Sequence, residues 1–228
     1  MMSIRSKIAA LALLFVATTT AVAQESKFPR LLIGPTGGIN LTSLIFQPNV
    51  EQTLKMGYDG GIVIRYDVDK DAMGLKGVDA GIWLEIDYSS RGWHEKPEEH
   101  PDYYYERTLN FINVPFMTQF LVGQGPFKFT VNMGAQFGYL LSEQSSTNFP
   151  EEGVPVVTEQ HNMPVENKFA WGLGGGIGGE YHFGKVVAGL RGSYVYGLGE
   201  IYGNSRKDYF GKSSEQIISA KLYLLYAF

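Results

Sequence analysis

Eight segments in which apolar and polar residues alternate at every second position limit the folds open to this chain more than any other feature. The last segment shows the pattern most fully. From Ile218 the even positions read Ile218, Ala220, Leu222, Leu224, Tyr226 and Phe228, and between them stand Ser219, Lys221, Tyr223, Leu225 and Ala227. A period of two places the two sets on opposite faces of a β-strand. The other segments cover 31–41, 58–67, 78–91, 109–122, 127–141, 170–183 and 186–198, separated by turn-forming or polar stretches. Pro35 weakens the first and Pro115 the fourth, since proline cannot donate to a sheet ladder.

The charged face recurs from segment to segment. In the second, Tyr58, Ile62, Ile64 and Tyr66 oppose Asp59, Val63, Arg65 and Asp67. In the third, Val78, Ala80, Ile82, Leu84, Ile86 and Tyr88 oppose Asp79, Trp83, Glu85, Asp87 and Arg91. The fifth opposes Phe127, Phe129, Val131, Met133, Phe137, Tyr139 and Leu141 to Lys128, Thr130, Asn132 and Gln136. A soluble barrel turns its apolar face inward, but here the charged face is the one that can neutralise itself. The expected fold is therefore all-β: an eight-stranded antiparallel transmembrane up-and-down β-barrel, apolar outside and polar within. After the N-terminal region no run approaches the 18 apolar residues of a membrane helix.

One hairpin fixes a register. The segments 170–183 and 186–198 meet at Gly184-Lys185, a two-residue turn that pairs His182 with Val187 and Glu180 with Gly189. Glu180 then lies diagonal to Arg191 on the inner face, within reach of long side chains. Trp171, Leu173, Ile177, Tyr181, Phe183, Val186, Ala188, Leu190, Tyr194, Tyr196 and Leu198 point out.

The N-terminus has the parts of an export signal: Arg5 and Lys7, an apolar run over 8–16, and the small residues Ala21-Val22-Ala23. Residues 1–23 are expected to be removed, leaving 24–228 as a single barrel domain. The chain has no cysteine, so disulfides and lipid attachment through Cys are excluded. Without Arg5 and Lys7 the basic count falls from 19 to 17 against 23 acidic residues, a formal charge of −6. Nucleic acid is thus not an expected partner, because phosphate neutralisation needs clustered Lys and Arg.

Connection lengths add a second argument. By this reading connections one, three, five and seven hold about 13, 17, 25 and 17 residues and the others about 9, 4 and 2, the long-loop, short-turn alternation of an outer-membrane barrel. The stretches GPTGGINLTSL (34–44), Asn113-Val114-Pro115, MGAQFGYLL (133–141) and LRGSYVYGL (190–198), with the ending IISAKLYLLYAF, resemble the PorT-like outer-membrane β-barrel family over nearly the whole mature chain. That resemblance implies integral residence in a Gram-negative outer membrane and a porin-family or barrel-domain protein. In some relatives it implies a part in a system that secretes proteins across that membrane. The terminal Tyr226 and Phe228 resemble the signal by which barrels reach the outer-membrane assembly machinery. The expected partners are outer-membrane lipid, that machinery, and a secretion or envelope complex.

An eight-stranded barrel is just wide enough for side chains to fill. The inward set Arg65, Glu85, Asp87, Arg91, Lys128, Asn132, Gln136, Glu180, Arg191 and Lys221 is expected to plug it, with a narrow polar channel as the alternative. No catalytic residue, metal or cofactor is expected. Ser89, Ser90, His94 and Asp87 at the third-segment rim offer hydrolase residue types without diagnostic spacing. The stretch 94–106 (HEKPEEHPDYYYE) offers carboxylates without a calcium-loop spacing and tyrosines suited to partner contact. The fifth connection, 142–166, carries five Glu and no Lys or Arg and reads as a solvated acidic loop. The glycine run over 172–179 precedes no helix pattern and reads as strand, not as a phosphate loop. Tyr66, Tyr88, Trp93, Tyr139, Trp171, Tyr181, Phe183, Tyr194 and Tyr196 are expected in the interfacial girdles.

Overall fold

The computed structural model of the protein describes residues 30–68, 74, 76–149, 157–205 and 207–228. The expected export signal over 1–23 lies outside them. The described elements are β1 (Arg30–Gln47), β2 (Gln52–Thr53), β3 (Lys55–Asp67), β4 (Val78–Glu95), β5 (Tyr105–Val122), β6 (Phe127–Thr147), the one-turn helix α1 (Glu159–Asn162), β7 (Phe169–Phe183), β8 (Val186–Glu200) and β9 (Lys212–Ala227).

Every long strand pairs antiparallel with its successor, and β1 pairs with β9 from Leu32↔Ala227 to Gln47↔Lys212. The eight long strands therefore close into a ring with no free edge, and β2 adds only a two-residue rung on β4. Closure is what permits strands in hydrocarbon, where every backbone N–H and C=O must find a partner within the sheet. Both prolines sit where one ladder is interrupted. The β1–β9 register skips from Ile33↔Tyr226 to Thr36↔Tyr223, across Pro35. The β4–β5 register skips from Leu84↔Phe116 to Asp87↔Asn113, across Pro115.

The outer face carries the apolar stripes. Ile218, Leu222, Leu224 and Tyr226 on β9, Phe228 just after it, and Met56, Tyr58, Ile62, Ile64 and Tyr66 on β3, are exposed. An apolar exterior around a charged interior is an arrangement that hydrocarbon stabilises and water does not. Of the nine expected girdle residues, Tyr66, Tyr88, Tyr139, Trp171, Tyr181, Phe183 and Tyr194 are exposed and Tyr196 is half-buried. Trp93 is a correction: it is fully buried inside the barrel, because it shares the inward parity of Glu85, Asp87 and Arg91 on β4.

The strands also run further than the alternation suggested. β5 begins at Tyr105 and not at 109, β1 continues to Gln47, and β6 reaches Thr147. Connections 48–54 and 96–104 shorten accordingly, so the length contrast rests on 148–168 and 201–211 against 123–126 and 184–185. These define a loop end and a turn end. The shortest turn is the hairpin read from the sequence, with Gly184 at φ +65° and the pairs Glu180↔Gly189 and His182↔Val187.

Side chains fill the ring unevenly. β7 turns Gly172, Gly174, Gly176 and Gly178 inward, with no side chain to offer, while β4 turns in Trp83, Glu85, Asp87, Arg91 and Trp93. On β8 it is the absence of a side chain at Gly189 that makes room for the ring of Tyr223, which a Cβ there would overlap.

Candidate functional site

The interior forms three storeys. At the turn end Leu32, Val63, Trp83, Met117, Val187, Tyr223, Leu225 and Ala227 pack as one apolar cluster. Threaded through it is an ion-pair chain. Arg30 Nε lies 2.9 Å from Asp67, Arg65 Nε lies 2.8 Å from Asp67, and Arg65 Nη1 lies 2.6 Å from Glu180. Glu180 also accepts the hydroxyl of Tyr223 at 2.8 Å and faces His182 Nε2 at 2.7 Å. Lys128 closes this end on Asp79 at 2.7 Å.

Mid-barrel, Lys221 reaches Glu85 at 2.8 Å, Asp87 at 3.0 Å and Asp59 at 3.2 Å. Arg191 Nη2 donates to Glu85 at 2.6 Å and stacks its guanidinium 4.4 Å from the ring of Trp83, whose Nε1 also donates to Glu85 at 3.0 Å. Asn113 bridges this group to the next by donating to Asp87 at 3.0 Å and accepting from Arg91. Arg91 pairs with Glu215 at 3.2 Å. Glu85 and Arg65 are wholly buried and Lys221 is 6% exposed, so these charges persist only because each meets an opposite one.

The third storey, at the loop end, is a hydrophobic cap. Leu44, Phe46, Trp93, Tyr105, Leu109, Phe111 and Leu140 come from the strands, and Val165, Ile201, Tyr202 and Phe210 from loops folded over the mouth. Glu95 latches it, accepting from Trp93 Nε1 at 2.7 Å and Gln160 Nε2 at 3.0 Å and facing His161 Nε2 at 2.7 Å. Arg107 donates to Glu143 at 2.6 Å and to the Gln160 carbonyl at 3.1 Å. Burial pushes the Tyr202 phenol above its ordinary range, and its hydroxyl donates to the same Gln160 carbonyl at 3.3 Å. The fifth connection is therefore corrected. Its described part over 157–168 is not a freely solvated loop, since Gln160 and Val165 are buried in the cap.

The inward residues read from the sequence all line the interior, but not all with the partners proposed. Glu180 and Arg191 do not pair, because each finds a better-placed opposite charge across the lumen, Arg65 and Glu85 respectively. Asn132 is buried with neither side-chain atom hydrogen-bonded within the protein, and Gln136 is half-buried beside a cavity of about 10 Å³ under the cap. That volume is about one water molecule's worth. Residues the alternation missed are the neutral bridges Asn40, Asn113 and Gln119 and the loop-end group Glu95, Arg107, Gln160 and Glu215. Inward parity would have found the strand residues among them; nothing local marks Gln160.

The hydrolase residues are not assembled. Ser89 faces inward and accepts from Asn40 at 3.2 Å, whereas His94 lies on the other face, 3.4 Å from Glu106 and stacked on Tyr104. Ser90 is four residues from His94, about 13 Å along a strand. Among the described residues no group of three or more His, Asp or Glu could hold a metal ion.

The outer membrane protein beta-barrel domain family model matches residues 22–203. The chain belongs to that family. By sequence, no curated protein matches it. Among solved structures it is similar to the outer membrane protein OprG of Pseudomonas aeruginosa, at 10% identity and a TM-score of 0.46, over 88% of this chain and 96% of that one. Neisserial surface protein A gives 13% identity and a TM-score of 0.43, over 87% and 97%. Ail, the attachment invasion locus protein of Yersinia pestis, gives 13% and 0.39, over 87% and 99%. This barrel is thus an outer-membrane protein by family, and its strands supply the apolar exterior such residence requires.

Proposed function

We propose that this outer-membrane barrel is a closed, non-enzymatic one that acts structurally or through its loop end, which faces the cell exterior. The observation that supports the reading is the interior itself: paired charges along its length, with an aromatic cap above them. In planar bilayers the purified barrel should give no discrete solute-sized conductance steps. Stepwise conductance would replace this reading with a narrow channel. A component of a protein secretion system, as the PorT-like resemblance implies, is the other reading. Loss of the protein should then trap cargo in the periplasm, and unchanged secretion would remove that role.

The outward rings of Tyr226 and Phe228 pack edge to face at 5.2 Å, and Phe228 is 73% exposed. They form a surface that an assembly machine could grip before lipid covers it. Phe228→Ala should slow assembly, read as a smaller heat-modifiable fraction on unboiled gels. Assembly at the parental rate would count against the signal.

A further inference from the structure

The lipid-facing surface is not uniformly smooth. Toward the turn end, where β6, β7 and β8 run side by side, an apolar groove of about 510 Å³ opens outward. Phe127, Phe129 and Val131 on β6 form one wall, Ile177 on β7 and Leu190 on β8 contribute to the lining, and Gly179 and Gly192 leave the floor bare. The glycines make the groove. A Cβ on Gly192 would find its nearest neighbour 3.9 Å away, at ordinary contact distance and displacing nothing, and one on Gly179 would meet the Phe127 ring at 3.1 Å.

Its position says what fills it. The groove opens into the hydrocarbon layer, where the neighbouring molecules are lipid chains. Gly179 pairs with Leu190 on the hairpin whose turn is Gly184-Lys185, so the turn lies five rungs away, about 16 Å along the strands. Lys185 is exposed at that turn, its ammonium 5.7 Å from the Tyr226 ring. A cation at the headgroup level below an apolar groove complements one molecule in charge and in shape. We infer that the groove holds an acyl chain of a phospholipid of the turn-side leaflet, with the lipid's phosphate drawn to Lys185. The inference rests on the membrane placement proposed above.

The test uses the mature barrel, refolded in detergent with dipalmitoyl phosphatidylglycerol and examined by native mass spectrometry. The parent should retain one phospholipid. Gly192→Leu fills the groove and should lose the adduct. Gly60→Leu adds the same side chain on the outer face of β3, where its Cβ also has room at 3.8 Å, and should keep it. Lys185→Glu should lower occupancy several-fold. Heat-modifiability of each variant confirms that the barrel has formed. A parent that folds and inserts into vesicles but retains no lipid overturns the groove site alone. Equal retention by the parent and Gly192→Leu does the same, and unchanged occupancy in Lys185→Glu overturns the phosphate contact. A parent that never inserts overturns the membrane reading and this inference together.

Discussion

Replacing Glu85 by Gln is expected to lower the unfolding free energy of the folded barrel by about 3–5 kcal/mol, because it leaves buried cations without their shared counter-charge. Lys221 at 2.8 Å and Arg191 at 2.6 Å both rely on this carboxylate, which is wholly buried. The glutamine oxygen can still accept one bond, so the loss is chiefly one of charge. Glu106→Gln is the contrast. Its pair with Lys55 is as short, at 2.6 Å, but Glu106 is 38% exposed, and removal should cost about 1 kcal/mol or less. Guanidinium titration in micelles, followed by tryptophan fluorescence, measures both. Equal shifts would show that the mid-barrel charges do not depend on one another.

The second large effect is expected at the cap. Trp93→Ala should cost about 3–5 kcal/mol by opening a cavity in a packed cluster. Trp93 is fully buried, meets Phe46 edge to face at 5.5 Å, and donates to Glu95 at 2.7 Å. Its loss removes a donor from the carboxylate that also holds Gln160 and His161, so the 157–168 segment should come loose before the ring does. Limited proteolysis of folded barrels reads this directly. Faster cleavage within 157–168 with heat-modifiability preserved is the expected result, and parental cleavage kinetics would show that the latch does not hold this segment.

The barrel wall was legible because its physics is one-dimensional. Alternation assigns a face to each residue, so it sends Lys221, Glu180 and Arg191 inside, and the two-residue turn at Gly184-Lys185 fixes the β7–β8 register. Who meets whom across the lumen depends on the stagger of strands far apart in sequence. That is why the diagonal neighbours Glu180 and Arg191 take Arg65 and Glu85 instead. The cap was hidden for a different reason. Phe46, Trp93, Tyr105 and Phe111 are apolar residues pointing inward, and a rule that sends apolar residues to lipid misreads them wherever the strand rises toward the loops. Gln160 and Val165 lie in a segment whose composition is that of solvated loop, and only the fold brings them to the mouth.

The pairing of β1 with β9 has a consequence for how such a molecule is made. It joins Leu32 to Ala227 and Gln47 to Lys212, contacts that are among the most distant in sequence between described residues. Contacts of that separation form late and slowly. Until β9 arrives, β1 and β8 each present an unpaired edge that invites pairing with another chain. Closure is therefore all-or-none with respect to the last strand: the ring cannot shut until the residues from Lys212 to Ala227 are available to pair with β1.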